Sequence, residues 1–223
     1  MSCAVPERTG HFVTDYDDRL TMSRTTTESK QKVMTELRRF EILTAATEVF
    51  GDKGFDATLM DEIAHAAGLA KGTLYLYFKS KDEIYQAVVE QALAEVDALT
   101  QRHVEASGGF AEKYAAFIRV RIAFWQEHHT LYRVILSMAR APQYRRKSIG
   151  WQREAVVYLA ELLKEGAAEG AILQQDFVAV AWATMDAIRG VNERRVFDAE
   201  ARSVEEDTAF LTRFLLEAVR APR

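Results

Sequence analysis

The sequence predicts an all-α protein in which a small helical head precedes a larger helical body. Apolar residues recur at helical spacing along most of the 223 residues, and only three residues are proline. Alanine, glutamate, leucine and arginine, which favour helices, are frequent. With 48% apolar and 28% charged residues, the chain can bury a core without disulfides or a metal.

Three segments follow from the helical pattern. Residues 1–33 show no clear apolar period, so we expect a flexible N-terminal arm there. Residues 34–80 are expected to form a small head of three helices, and residues 81–223 a body that contains the rest, about nine helices in all. The expected helices cover roughly 36–51, 58–66, 70–77, 80–103, 110–128, 131–139, 144–168, 176–197 and 203–219.

Capping residues mark several of the expected helix ends. Gly54 suits the left-handed residue that closes a helix. Ser80-Lys81-Asp82-Glu83 and Ser203-Val204-Glu205-Glu206 match the capping box that opens a helix. Thr58-Leu59-Met60-Asp61 approximates the same box, with Asp in place of Glu. These motifs predict helix starts near residues 58, 80 and 203.

Residues 58–77 have the pattern of a helix-turn-helix, in which two short helices flank Ala67-Gly68-Leu69. The second helix of such a pair lies in the major groove of DNA and offers its N-terminal side chains to the bases. Leu74 and Phe78 are expected to hold this helix against the core. The candidate DNA contacts are Lys71, Gly72, Thr73, Tyr75, Tyr77, Lys79 and Lys81.

These residue types suit DNA contact for different reasons. Lysine attracts phosphate, Gly72 lets the backbone approach closely, and Thr73 can bond a base or a phosphate oxygen. The hydroxyls of Tyr75 and Tyr77 could reach phosphates; the alternative, that both rings are core aromatics, is less favoured because a short amphipathic helix cannot bury every side. The net charge of −4 argues against nucleic acid, but residues 70–81 contain three lysines and no acid. Taken singly, Lys79 and Lys81 could instead be ordinary surface lysines exposed to water.

This region resembles the TetR family of bacterial regulators. The matching residues are Ile42-Leu43-Thr44-Ala45-Ala46-Thr47-Glu48-Val49-Phe50, Gly54-Phe55, Thr58, Glu62-Ile63-Ala64 and Ala67–Glu83. The resemblance implies a homodimer of two-domain, all-helical subunits, usually a repressor that a small ligand releases. The positions at which family members touch DNA correspond to Thr58, Lys71, Gly72, Thr73, Tyr75, Tyr77 and Lys81. Ala70, Leu76 and Tyr77 depart from the family pattern, and Ala70 lacks the capping hydroxyl of the Ser or Thr often found at that position.

The body carries residues suited to a ligand pocket and to a dimer interface, although any helical core uses the same types. Candidates for a pocket that holds a mostly apolar ligand are Trp125, His128, Tyr132, Met138, Trp151, Tyr158, Trp182 and Asp186. The last two helices have broad apolar faces, which could be internal core or the interface that joins two DNA-reading heads. Candidates for the interface are Phe177, Ala181, Met185, Ile188, Leu211, Phe214, Leu215 and Ala218.

Other functional classes receive little support from the sequence. No catalytic constellation, phosphate loop or metal spacing stands out, so we expect no enzyme activity, cofactor or metal. The single cysteine, Cys3, and the lack of a signal or membrane-spanning run indicate a reduced, cytoplasmic protein. The expected partners are operator DNA, a small-molecule effector and a second copy of the chain. Two alternatives stay open: a ligand-independent activator or structural DNA protein, and a helical binding protein or enzyme that retains the head.

Overall fold

The computed structural model describes residues 17–139, 142–198 and 202–220, with side chains from residue 29 onward except that of Gln143. These residues form ten α-helices and one isolated β-bridge between Ile172 and Arg220, which confirms the all-α prediction. The helices are α1 (Asp17–Lys53), α2 (Met60–Ala66), α3 (Lys71–Tyr77), α4 (Lys81–Glu105), α5 (Phe110–Glu127), α6 (His129–Met138), α7 (Pro142–Trp151), α8 (Arg153–Ala168), α9 (Phe177–Phe197) and α10 (Val204–Val219).

Two helix boundaries differ from the sequence prediction. Helix α1 begins at Asp17, within the expected arm, and no glycine or proline between residues 17 and 33 ends it. Residues 1–16 of that arm, including Cys3, lie outside the described residues. The helix expected over about 144–168 is two helices, α7 and α8, which are separated at Gln152, two residues after Gly150.

The backbone contacts divide the described part of the chain into two compact units, with the boundary between Ile42 and Leu43. The second unit contains α2, α3 and all of the body, so the short helices of the head and the long helices pack together. Helix α5 lies at the centre of the body, where Phe117, Ile118 and Ile122 are fully buried. It packs against α4, α8, α9 and α10. A separate DNA-binding function for residues 34–80 stays a prediction.

The helix starts test the three predicted capping boxes. The box at α10 is confirmed, because the Ser203 hydroxyl accepts from the Glu206 amide at 3.1 Å and the Glu206 carboxylate accepts from the Ser203 amide at 2.8 Å. At α4 only the first half forms, from the Glu83 amide to Ser80. At α2 the N-cap is Leu59 rather than Thr58, so the prediction there is wrong by one residue.

Lys81, at the start of α4, fixes the connection between α1 and α2. Its Nζ donates hydrogen bonds to the carbonyl oxygens of Phe55 at 2.6 Å, Asp56 at 3.1 Å and Thr58 at 2.8 Å. The ammonium also lies 4.5 Å from the centre of the Phe55 ring, within cation–π range. An ammonium has three donors, so all of them are used inside the protein. Lys81 therefore determines where α2, and with it the turn and α3, lies relative to α4.

We expect Lys81→Met to destabilise the protein, because it leaves three carbonyl groups without their charged donor. The free energy of unfolding should fall by about 2 kcal/mol, and Tm by roughly 4–8 °C. Differential scanning calorimetry measures both changes. Lys79→Met is the matched control, since Lys79 Nζ donates to one exposed carbonyl, that of Tyr75, and should cost less than about 0.5 kcal/mol. Equal losses in the two variants would contradict this role of Lys81.

Candidate DNA-binding and ligand-binding sites

Helices α2 and α3 and the turn between them have helix-turn-helix geometry. The turn passes through Gly68, whose φ of 66° is in the left-handed region that glycine tolerates best. Its neighbours are held by hydrogen bonds from the Ala67 amide to Ile63 at 2.9 Å and from the Leu69 amide to Ala64 at 2.8 Å. The predicted helix-turn-helix is therefore confirmed in its local structure.

Helix α3 has one buried side and one exposed side. Leu74 and Phe78 are fully buried, which confirms their predicted role in holding the helix. The exposed residues are Lys71, Gly72, Tyr75, Leu76 and Lys79, and the half-buried ones are Thr73 and Tyr77. The exposed side therefore presents an ammonium, a phenol hydroxyl and a position without a side chain along one short helix.

Lys71 is paired within the head in the absence of DNA. Its Nζ lies 2.9 Å from Asp61 Oδ1, and this hydrogen-bonded carboxylate raises the pKa of the lysine above its ordinary value. Both side chains are well exposed, so the pair is weak and can exchange with a phosphate. Lys71 therefore remains available to DNA as a full positive charge.

Two of the predicted DNA contacts, Thr58 and Lys81, are corrected by the structure. The Thr58 side chain is 1% exposed, and its hydroxyl donates to the Gly54 carbonyl at 2.7 Å. The donors of Lys81 are used by the carbonyls of the α1–α2 connection. Both residues therefore support the head from inside and do not present a free polar group to DNA.

The body contains a cavity of about 450 Å³, within the usual range for small-molecule sites. Helices α4 to α9 all contribute to its wall. Of the predicted pocket residues, Trp125, Tyr132 and Trp151 line it. Burial raises the pKa of the Tyr132 hydroxyl, which is therefore neutral at ordinary pH.

The other five predicted pocket residues lie outside the wall of this cavity. His128 stacks on Phe124 with 4.1 Å between ring centres, and Tyr158 stacks on Phe117. Asp186 is exposed and paired with Arg189. Met138 is buried and Trp182 packs against the body core. Aromatic and Met side chains form core and pocket alike, so residue type alone could not separate the two.

Buried polar side chains in the cavity wall were missed by the sequence analysis. Arg121 is 3% exposed and forms an ion pair with Asp97, and Asn192 is 2% exposed. The Arg121 Nε, the Asn192 Oδ1 and the Gln152 Oε1 are buried without a hydrogen-bond partner. The available signal was their position, since Arg121 and Asn192 fall on the apolar stripes of α5 and α9 where a core residue is expected.

The head and the cavity are connected by packing between α4 and α7. The ring of Tyr85 lies 5.4 Å from both Phe55 and Tyr144, and 6.4 Å from Trp151, which lines the cavity. The Tyr144 hydroxyl also donates a hydrogen bond to Asp82 at the start of α4. One continuous aromatic cluster, defined by these four rings, therefore reaches from the α1–α2 connection to the cavity wall.

A second connection between head and body lies at the end of α1. Gly51 is packed so closely against α6 that a Cβ there would lie 2.0 Å from Thr130 Cγ2. Its carbonyl accepts a hydrogen bond from the Arg133 guanidinium at 3.1 Å. A side chain at residue 51 would therefore require Thr130 or the end of α1 to move.

The predicted interface residues divide into core and surface. Ala181, Met185, Ile188 and Leu211 are buried within the subunit, so the interface prediction is wrong for these four, and Met185 and Ile188 line the cavity. Phe177 and Leu215 are half-buried against the core. Phe214 and Ala218 are exposed on α10. Phe214 stacks on exposed Phe210 with 5.9 Å between ring centres.

Two classes of site are absent from the described residues. In that part of the chain no group of three or more His, Cys, Asp or Glu side chains could hold a metal ion. None of the described helices is both long and apolar enough to cross a membrane.

Residues 42–88 match the family model described as bacterial regulatory proteins, tetR family. The HTH-type transcriptional activator FasR of Mycolicibacterium smegmatis is 52% identical over 54 residues, which are 24% of this chain and 25% of that protein. The uncharacterised HTH-type transcriptional regulator YhgD of Bacillus subtilis is 27% identical over 137 residues, 60% of this chain and 72% of that protein. The fatty acid metabolism regulator protein of Bacillus subtilis is 29% identical over 91 residues, 41% of this chain and 47% of that protein.

Solved structures share the fold over most of the chain. The fatty acid degradation regulator FadR of Bacillus halodurans superposes with a TM-score of 0.73 at 20% identity, over 80% of this chain and 94% of that one. The TetR-family regulator PfmR of Thermus thermophilus superposes with a TM-score of 0.64 at 24% identity, over 82% of this chain and 99% of that one. These superpositions show that the fold of the helical body, as well as that of the helix-turn-helix, is shared with the solved structures. Residues 42–88 therefore match the helix-turn-helix region of the tetR family of bacterial regulatory proteins, and the described helices share the fold of TetR-family structures.

Proposed function

We propose that this chain is a sequence-specific DNA-binding repressor, which a small and mostly apolar ligand releases from its operator. The observation that carries the proposal is the exposed side of α3, which presents Lys71, Gly72 and Tyr75 next to a turn of helix-turn-helix geometry. Lysine neutralises a phosphate, and the short helix brings Thr73 and Tyr75 toward base edges and phosphates. Leu74 and Phe78 keep that face oriented because they are fully buried.

The functional unit in this proposal is a homodimer. Two heads must lie about 34–36 Å apart, or a multiple of that distance, to reach successive turns of the major groove. Helix α10 carries the stacked pair Phe210 and Phe214, of which Phe214 is 62% exposed. Val178 on α9 is also exposed. A second copy that packs on this face would remove apolar surface from water and hold two heads at a fixed separation.

The ligand in this proposal binds in the cavity of the body. Helix α7 supplies part of the cavity wall through Ile149 and Trp151, and it contacts the head side of α4 through Tyr144. A ligand that displaces α7 therefore changes the support of Tyr85 and Phe55. It shifts the head only to the extent that it binds one arrangement more tightly than the other.

Activation is the second candidate for the direction of regulation. FasR, whose name gives it as a transcriptional activator, shares 52% identity with this chain over 54 residues. The same DNA contacts serve an activator, and only the effect of the ligand on operator affinity differs. A ligand that strengthens operator binding would favour this candidate over the repressor.

We expect Lys71→Ala combined with Tyr75→Phe to weaken operator binding, since the variant loses a phosphate charge and a hydroxyl on the exposed face of α3. The slope of log affinity against log salt concentration should fall by about one, as one phosphate contact is lost. A gel shift at several stated salt concentrations measures both effects, with DNA from upstream of the chain's own gene and a scrambled competitor.

Lys164→Ala is the matched control for this measurement. Lys164 is an exposed lysine on α8 in the body, where it pairs with Glu161, so its removal lowers the net charge by the same amount away from the head. The operator affinity of the Lys164→Ala variant should stay within about twofold of the native value. If the native protein and the α3 double variant bind the operator with equal affinity, α3 is not the helix that contacts DNA.

We expect Phe214→Asp to weaken the homodimer, because a charge would replace an aromatic ring at the centre of the proposed interface. The dissociation constant should rise by roughly tenfold or more, as measured by sedimentation over a concentration series. Leu59→Asp introduces the same charge at a 63% exposed position in the head and should leave the dimer unchanged. An unaltered dissociation constant for Phe214→Asp would place the interface elsewhere.

A further inference from the structure

We infer that the cavity selects an apolar molecule with an uncharged head group that both donates and accepts hydrogen bonds, such as an alcohol or a primary amide, over the corresponding carboxylate. This inference rests on the cavity being the ligand site in the proposed function, and it specifies the chemistry of that ligand. The observation behind it is the set of unpartnered polar atoms in the cavity wall.

Three buried polar atoms without a partner belong to residues that line the same cavity. They are Arg121 Nε, which is a donor, and Asn192 Oδ1 and Gln152 Oε1, which are acceptors. Buried polar groups are nearly always satisfied, because each unpaired one costs free energy. The Asn192 Nδ2 points to the Arg121 carbonyl at 3.5 Å, which leaves its oxygen as the free atom. The side chains that form the cavity wall therefore carry one unpaired donor and two unpaired acceptors.

The charge of Arg121 is already balanced. Its guanidinium pairs with Asp97, and the same group lies 4.8 Å from the centre of the Phe117 ring. A carboxylate placed at Arg121 Nε would meet no net positive charge and would lie near the Asp97 carboxylate. It also has no proton to donate, so the oxygens of Asn192 and Gln152 would stay unpaired.

The charged residues at the cavity edge do not change this preference. Arg145 and Arg189 also line the cavity, but both side chains are exposed, and Arg189 pairs with Asp186 at 3.0 Å. Glu193, another lining residue, is exposed and negative. Water screens these groups, and their charges partly cancel.

The rest of the wall requires an apolar body on the ligand. The neutral, mostly apolar lining residues include Val89, Leu93, Trp125, Ile135, Leu136 and Met185. An alcohol hydroxyl donates once and accepts twice, and a primary amide donates twice and accepts through its oxygen. Either head group can satisfy Arg121 Nε and at least one of the two acceptors while its hydrocarbon part contacts the apolar wall.

The test compares decanol, decanamide and decanoate, which share one chain length and differ only in the head group. Thermal shift and calorimetric titration at neutral pH give their affinities for the full chain. We expect decanol and decanamide to bind, and decanoate to bind about tenfold more weakly or worse, since it leaves buried acceptors unpaired. Decanoate that binds as tightly as decanol would overturn the inference, and so would the absence of any shift with all three compounds.

Two variants separate recognition by the cavity from nonspecific binding of an amphiphile. Gln152→Leu removes one acceptor at a half-buried position, and Asn192→Leu removes the other. Each should reduce the preference for decanol over decanoate by about threefold to tenfold. Gln175→Leu, at an exposed glutamine outside the cavity wall, is the matched control and should keep the native preference. An unchanged preference in both cavity variants would overturn the inference.

The gel shift without ligand distinguishes a failure of this inference from a failure of the proposed function. Operator binding with no preference for decanol would overturn only the head-group assignment. A clear preference for decanol with no specific DNA binding would overturn the proposed repressor and leave the cavity assignment in place.

Discussion

The edge-to-face contacts of Tyr85 with Phe55 and Tyr144 are the interaction on which the head and the body both depend. Each pair of ring centres is 5.4 Å apart, and Tyr85 is almost fully buried. Phe55 belongs to the α1–α2 connection that Lys81 holds, while Tyr144 lies on the helix that closes the cavity. Aromatic pairs of this geometry contribute energy beyond their buried area. The head that carries the proposed DNA contacts and the cavity proposed for a ligand are therefore joined through one packed cluster.

The cavity wall holds polar side chains in a mostly apolar setting. Elsewhere in the body some buried polar groups are paired, as in the 2.7 Å hydrogen bond between Tyr114 and Thr184, while the hydroxyls of Thr208 and Thr212 are also unpaired. At the cavity, Arg121 and Asn192 are buried on apolar stripes and keep unpartnered atoms. A well-packed core would replace these residues with apolar ones at a gain in stability. In the proposed function, a ligand in the cavity offsets that cost.

Much of the fold and of the DNA-binding face followed from the sequence, because these features are encoded locally. Gly68, Leu74 and Phe78 act through turn conformation and helical periodicity, which neighbouring residues determine. The predictions failed where contacts between residues far apart in the sequence determine the role of a side chain. Lys81 matched the spacing of a DNA contact, yet carbonyls more than 20 positions earlier use its donors. The position of Arg121 on an apolar stripe indicated burial but did not indicate a cavity, because the cavity depends on α4 and α9 packing beside α5.

The coupling of head and cavity is tested most directly by the fluorescence of Trp151 during titration with operator DNA. The chain has three tryptophans, so Trp125→Phe with Trp182→Phe leaves Trp151 as the only emitter. Because coupling is reciprocal, DNA that binds the head must alter the cavity wall, and Trp151 emission should change in proportion to operator occupancy. A control that retains only Trp182, outside the cavity, should not respond. Full operator binding with unchanged Trp151 emission would contradict the account.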